Sequence, residues 1–231
     1  MGMKLTYYGH SCFGIEINGV NLLVDPFVSG NPLASHIDVS TIPADYVLIS
    51  HGHQDHVLDV KSVANRTGAK LISNFEIINW FSEKGLKNGH SMNHGGGYDF
   101  DFGRVHYVSA IHSSSMPDGS YGGNPGGFVI TPKGSRASIY YSGDTALSYD
   151  MKLIGEQFDI FLALLPIGDN YTMGVTDAVR CSEFVGASKI VGLHYNTFPP
   201  IQTNLEQASR VFSQSGKDLI LLEIGQVLDL S

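Results

Sequence analysis

Ser50-His51-Gly52-His53-Gln54-Asp55-His56 places three imidazoles and a carboxylate within six residues. The apolar stretch 46–49 ahead of it reads as a short strand, so the histidines begin where a strand ends. Imidazole nitrogen suits zinc, manganese, nickel and iron, and a carboxylate widens the choice of divalent ion. In extended backbone, residues two apart point the same way, so His51 and His53 can grip one ion. Asp55 and His56 lie on the next bend and can face a second.

Three further ligand types stand at comparable places. His112 follows the strand ending at Ile111, Asp144 the strand ending at Tyr141, and His194 the strand ending at Leu193. Four separate strands each deliver such a residue just after their C-terminal ends, where side chains converge at one edge of a sheet.

Around these residues the chain alternates short apolar runs with helical patterns. Strands are expected over 5–8, 13–17, Val20–Val24, 70–73, 104–110, 127–131, Ala137–Tyr141, 160–164, 190–193, 219–222 and 227–228. Asn18-Gly19 reads as a two-residue hairpin turn, because both positions tolerate positive φ. The continuous apolar run 160–164 fits a strand buried on both faces. Helices are expected over 60–66, 75–84, 176–185 and 203–213, the last opened by a Thr203/Glu206 capping box. Strands dominate early and strand–helix alternation late, which fits a sheet-rich core carrying helices on its outer faces.

The chain has 231 residues, no linker-like stretch, no charge block and no short repeat, so one domain over 1–231 is expected. Hydrophobic residues are 42% and charged residues 16%, which excludes a disordered or coiled-coil chain. A formal charge of −8 gives no electrostatic footprint for nucleic acid or an anionic membrane. Two bound divalent cations would bring this to about −4. Two cysteines, Cys12 and Cys181, cannot form a disulfide framework; they read as buried small hydrophobes in a reducing, cytoplasmic setting. No apolar run is long enough to span a bilayer, and no signal peptide is expected. Met1-Gly2 with Thr6 matches an acylation pattern, although Met3 as the natural start is the plainer reading.

His51-x-His53-x-Asp55-His56, then His112, Asp144 and His194, resembles the metallo-β-lactamase superfamily across essentially the whole chain. Gly9-His10-Ser11, Val24-Asp25-Pro26, Tyr141-Ser142-Gly143-Asp144-Thr145 and His194-Tyr195-Asn196-Thr197 carry a narrower resemblance. It is to the short stand-alone metal-dependent hydrolases similar to the ascorbate-6-phosphate lactonase group. The resemblance implies an α+β fold, a four-layer αββα sandwich with two divalent metal ions at the sheet edge. It assigns His51, His53 and His112 to one ion and Asp55, His56 and His194 to the other, with Asp144 bridging. The implied chemistry is hydrolysis by a hydroxide held between the cations, oriented by Asp55.

Asp55 with no cysteine ligand departs from many true β-lactamases, and His53 stands where the diiron oxidoreductases usually carry Glu. The expected substrate is a small molecule, either a phosphodiester or a lactone or related ester. Both put negative charge on the transition state, so the residues leave the two open. The rival readings are a diiron oxidoreductase and a metal-binding sensor or scaffold without turnover, which would need a defective ligand set. A homo-oligomer is compatible with the narrower resemblance.

Six further residues are candidates for the substrate or for support of the ligands. Asp25 could accept the outer N–H of a ligand histidine. His10 could reach substrate or metal from its early loop. Asn124, Asp169, Thr172 and Tyr195 are candidates to line the pocket. The glycine-rich stretch 122–127 lacks the Gly-Lys-Ser/Thr of a P-loop and reads as a tight turn. His90 and His94 are four apart, but Gly89 and Gly95-Gly96-Gly97 argue against a helix presenting both.

Overall fold

Asn18 and Gly19 both adopt positive φ, +50° and +85°, and close the hairpin from which one sheet grows. The computed structural model describes residues 2–230; Met1, part of the acylation pattern, lies outside them. The strands are β1 (Met3–Gly9), β2 (Cys12–Ile17), β3 (Val20–Val24), β4 (Tyr46–Leu48), β5 (Lys70–Asn74), β6 (Gly89–Met92), β7 (Gly97–Phe100), β8 (Gly103–Ser109), β9 (Gly126–Pro132), β10 (Ala137–Tyr141), β11 (Asp159–Pro166), β12 (Lys189–Leu193), β13 (Asp218–Ile220) and β14 (Val227–Asp229). The α-helices are α1 (Gln54–Val57), α2 (Val60–Thr67), α3 (Phe75–Glu83), α4 (Asp150–Gln157), α5 (Val175–Phe184) and α6 (Leu205–Gln214).

The chain divides into two compact units. The first comprises the chain up to His94, Ser113–Pro125 and the chain from Glu223 on. Its sheet runs β14-β1-β2-β3-β4-β5-β6. Strands β1, β2 and β3 alternate in direction, and β3 to β6 are parallel. Two reversals bring β1 back to the direction of β3, so β1, β3 and β4 all end at the same edge. His10, Asp25 and the His51 loop leave from that edge.

The second unit comprises Gly95–His112 and Gly126–Leu222, with the sheet β13-β12-β11-β10-β9-β8-β7. Here β8 is antiparallel to β9 and β9 to β10, while β10, β11 and β12 are parallel. So β8, β10, β11 and β12 share a direction, and His112, Asp144, Asp169 and His194 follow their C-terminal ends. The apolar run expected as a buried strand is β11, buried from Leu162 to Pro166 between two parallel neighbours.

Each unit packs an apolar core under its helices. Val47, Ile49, Leu71, Val63 and Phe81 meet in the first, and Tyr140, Ala163, Leu165, Ala178 and Phe212 in the second. Burying an aliphatic or aromatic side chain of this kind contributes about 1.5–3 kcal/mol.

Three expectations need correction. The cap of α6 is Asn204, whose side chain accepts from the Gln207 N–H at 3.0 Å, not Thr203. Asn outranks Thr at this position, and the Thr203 hydroxyl donates instead to the Ile167 carbonyl. The strand expected over 219–222 stops at Ile220, where pairing with β12 ends. Helix α4 was not among the expected helices, and Gly155 lies inside it. A Cβ there would meet the Phe184 carbonyl oxygen at 2.2 Å, so the close passage of α5 requires the glycine.

Candidate metal centre

In the first unit, the histidine loop leaves β4 and enters α1, with His53 as the residue before the helix and Asp55 and His56 in its only turn. His51 and His56 are fully buried, their rings 4.1 Å apart between centroids. His51 Nε2 lies 3.0 Å from His53 Nδ1. His56 Nε2 is 3.8 Å from Asp55 Oδ2.

The outer faces of the rings decide which nitrogens face inward. Asp25, with no exposed surface and φ of +43°, ends β3 beneath the loop. Its carboxylate accepts the Ser50 N–H at 2.7 Å and the Ser50 hydroxyl, and faces His56 Nδ1 at 2.8 Å. A carboxylate can only accept, so His56 donates from Nδ1 and keeps its lone pair on Nε2. Because the Ser50 hydroxyl proton goes to Asp25, its oxygen is left to accept from His51 Nδ1, 3.0 Å away. His51 therefore also presents Nε2 as a lone pair. His53 turns Nδ1 toward His51, and its Nε2 lies 3.3 Å from Ser113 Oγ. Neutral imidazole lone pairs fixed by outer hydrogen bonds are what a divalent cation requires.

Gly52 makes this spacing possible. Its N–H donates to Ser114 Oγ at 3.1 Å, and a Cβ there would stand 2.5 Å from Met116 Sδ and 3.1 Å from the Ser115 carbonyl oxygen. His10 is buried at the end of β1, its Nε2 3.0 Å from Asp55 Oδ2. Asn124 lies on the Ser113–Pro125 stretch, where its side chain accepts from the Tyr121 hydroxyl and its carbonyl from Asn74.

In the second unit, Asp144 is the hub. Its Oδ2 lies 3.0 Å from His194 Nε2 and 3.7 Å from His112 Nε2, with Asp144 and His194 almost fully buried. His194 is held in left-handed backbone, φ +53°, and its carbonyl oxygen would be 2.0 Å from a Cβ on Gly168. Only a glycine lets the loop after β11 pass so close.

The remaining candidates are placed differently. Asp169 (φ +61°) caps the turn after β11, accepting the Asn170 N–H, and with Asp177, Thr203 and Gln207 it borders a cavity of the second unit. Thr172 closes the same turn by donating to the Met173 carbonyl. Tyr195 lies in the apolar core of that unit, where burial pushes its phenol up to about 12. Ser50, Gly52 and Gly168 were missed in the sequence. Ser50 carries the clearest signal, a short hydroxyl residue directly before the first ligand.

Parallel strand ends bearing histidines and buried carboxylates define a class, the metal-dependent hydrolases of the metallo-β-lactamase fold. The family model described as "Beta-lactamase superfamily domain" matches residues 4–194. A UPF0173 metal-dependent hydrolase of Flavobacterium johnsoniae is 53% identical over 228 residues, covering 99% of this chain and 100% of that protein. One from Christiangramia forsetii is 51% identical over 229 residues, again 99% and 100%. The solved structure of Igni18, a metallo hydrolase from Ignicoccus hospitalis, superposes with a TM-score of 0.91 at 33% identity, covering 100% of this chain and 99% of that one. The chain belongs to the metallo-β-lactamase superfamily and, within it, to the UPF0173 metal-dependent hydrolases. It is a metal-dependent hydrolase with the α+β fold expected from its sequence.

Proposed function

We propose that the chain hydrolyses a small phosphodiester or lactone-type ester with two divalent ions, of zinc, manganese, nickel or iron. His51, His53 and His112 would hold one and Asp55, His56 and His194 the other, with Asp144 as a further ligand. The observation that carries the reading is the pairing of His51 Nε2 with His53 Nδ1 at 3.0 Å, with the His51 tautomer set by Ser50 and Asp25. Ring nitrogens at that separation share either a proton or a cation, and the tautomer set on His51 leaves its Nε2 to accept either.

Bound divalent ions supply activation of water and stabilisation of the negative charge that develops on the substrate. The chain's own residues do the rest. Asp25 and Ser50 fix the His56 and His51 rings, and the Asp55 carboxylate orients the attacking water. His194 and Asp144, almost fully buried, pair within the second unit at 3.0 Å.

The partner is a small molecule rather than nucleic acid, as the charge of −8 supports. Two buried free cysteines support a reducing, cytoplasmic setting, and a homo-oligomer fits the family resemblance. Among the described residues no helix is long and apolar enough to cross a membrane.

The test is hydrolysis of a chromogenic phosphodiester by manganese-loaded protein, with Asp144→Ala as control. Turnover that the control loses supports phosphodiester hydrolysis. Absence of turnover on both a phosphodiester and a lactone panel by metal-replete protein overturns the substrate assignment.

A further inference from the structure

The contact between His10 and Asp55 has the dimensions of a ligand pair. His10 Nε2 and Asp55 Oδ2 are 3.0 Å apart, as are His51 Nε2 and His53 Nδ1, and Asp144 Oδ2 and His194 Nε2. Donors that share an ion at right angles, each about 2.1 Å from it, stand about 3.0 Å apart. The donor atoms of His10, Asp55 and His56 all lie within 4.8 Å of one another.

The His10 ring is also held in place. Its side chain has no exposed surface. It meets Phe27 and His56 edge-on at 5.6 and 5.7 Å. The residue takes left-handed backbone, φ +55°, uncommon for a side chain with a Cβ though His enters it more readily than most. The Tyr7 hydroxyl donates to its carbonyl at 3.3 Å and helps hold that turn.

We propose that His10 is an eighth metal ligand, sharing with Asp55 and His56 the ion assigned to them. The inference rests on the two-ion reading above and adds a coordination number to it. Two imidazoles and a carboxylate from one unit make an N,N,O set. Nitrogen and carboxylate oxygen together suit zinc, manganese, iron and nickel alike.

The experiment is cobalt(II) loading of the wild type, His10→Asn and His10→Gln, read by visible absorption, metal content and chelator competition. Asn tolerates left-handed backbone and so keeps the turn, while Gln keeps an N–H donor that could serve Asp55. Both variants are expected to lose affinity for one cobalt ion by about tenfold or more while keeping the other. The cobalt that remains at partial occupancy should absorb more strongly, as its coordination number falls. Unchanged spectrum and affinity in both variants would overturn the assignment, as would a wild-type spectrum in His10→Gln alone, which would leave His10 only a hydrogen-bond donor to Asp55. Wild type that holds no cobalt would overturn the two-ion centre itself, a separate failure.

Discussion

Asp25 Oδ2 lies 2.8 Å from His56 Nδ1, and neither side chain has any exposed surface. The carboxylate sits at the end of β3 in left-handed backbone and also takes both donors of Ser50. Asp25→Asn would set an amide N–H against one of these donors. Such a change should weaken metal binding by about 10–100-fold and stability by about 1–3 kcal/mol. Chelator competition and denaturant unfolding measure the two. Wild-type affinity in this variant would show that the carboxylate does not orient His56.

Ser50→Ala removes only the relay from Asp25 to His51. The His51 ring then loses the acceptor for Nδ1–H, 3.0 Å away. About a tenfold loss of metal affinity is expected, smaller than for Asp25→Asn. A loss equal to that of Asp25→Asn would mean that His51, not His56, depends most on the carboxylate.

Gly52→Ala should loosen the His51–His53 pair. The added carbon meets Met116 Sδ, which can move, and the Ser115 carbonyl at 3.1 Å, which cannot move without the backbone. The cost is about 1–3 kcal/mol, with a fall in metal content measured by elemental analysis. Full metal content would show that the loop tolerates the shift.

Gly168→Ala tests the other unit. Here the obstacle is backbone, the His194 carbonyl oxygen at 2.0 Å, so a larger loss than for Gly52→Ala is expected in unfolding free energy. A variant as stable as wild type would contradict the close approach of the two loops.

The parts of this architecture that were legible in the sequence are those fixed by local chemistry. Asn18-Gly19 announces its turn because so few residue pairs accept positive φ twice. The run 160–164 announces a buried strand because nothing polar interrupts it. The candidate histidines and aspartates follow strand ends, and strand ends show in the apolar pattern. What stayed hidden depends on contacts between distant segments. Gly155 looks like a helix breaker until Phe184 is seen beside it. Strands β6 and β7 are short and rich in glycine and polar residues, and take their form from their neighbours. Tyr195 directly follows His194 yet turns into the core of its unit, a direction that spacing cannot reveal.

The central claim is that His51, His53, Asp55, His56, His112, Asp144 and His194 together hold two divalent ions. Metal content per chain tests it most directly, after the folded protein has been offered zinc, manganese, nickel and iron in turn and dialysed. About two equivalents should be retained for at least one of these ions, with a clear loss in Asp144→Ala. Well-folded protein that keeps only a trace of every ion would contradict it.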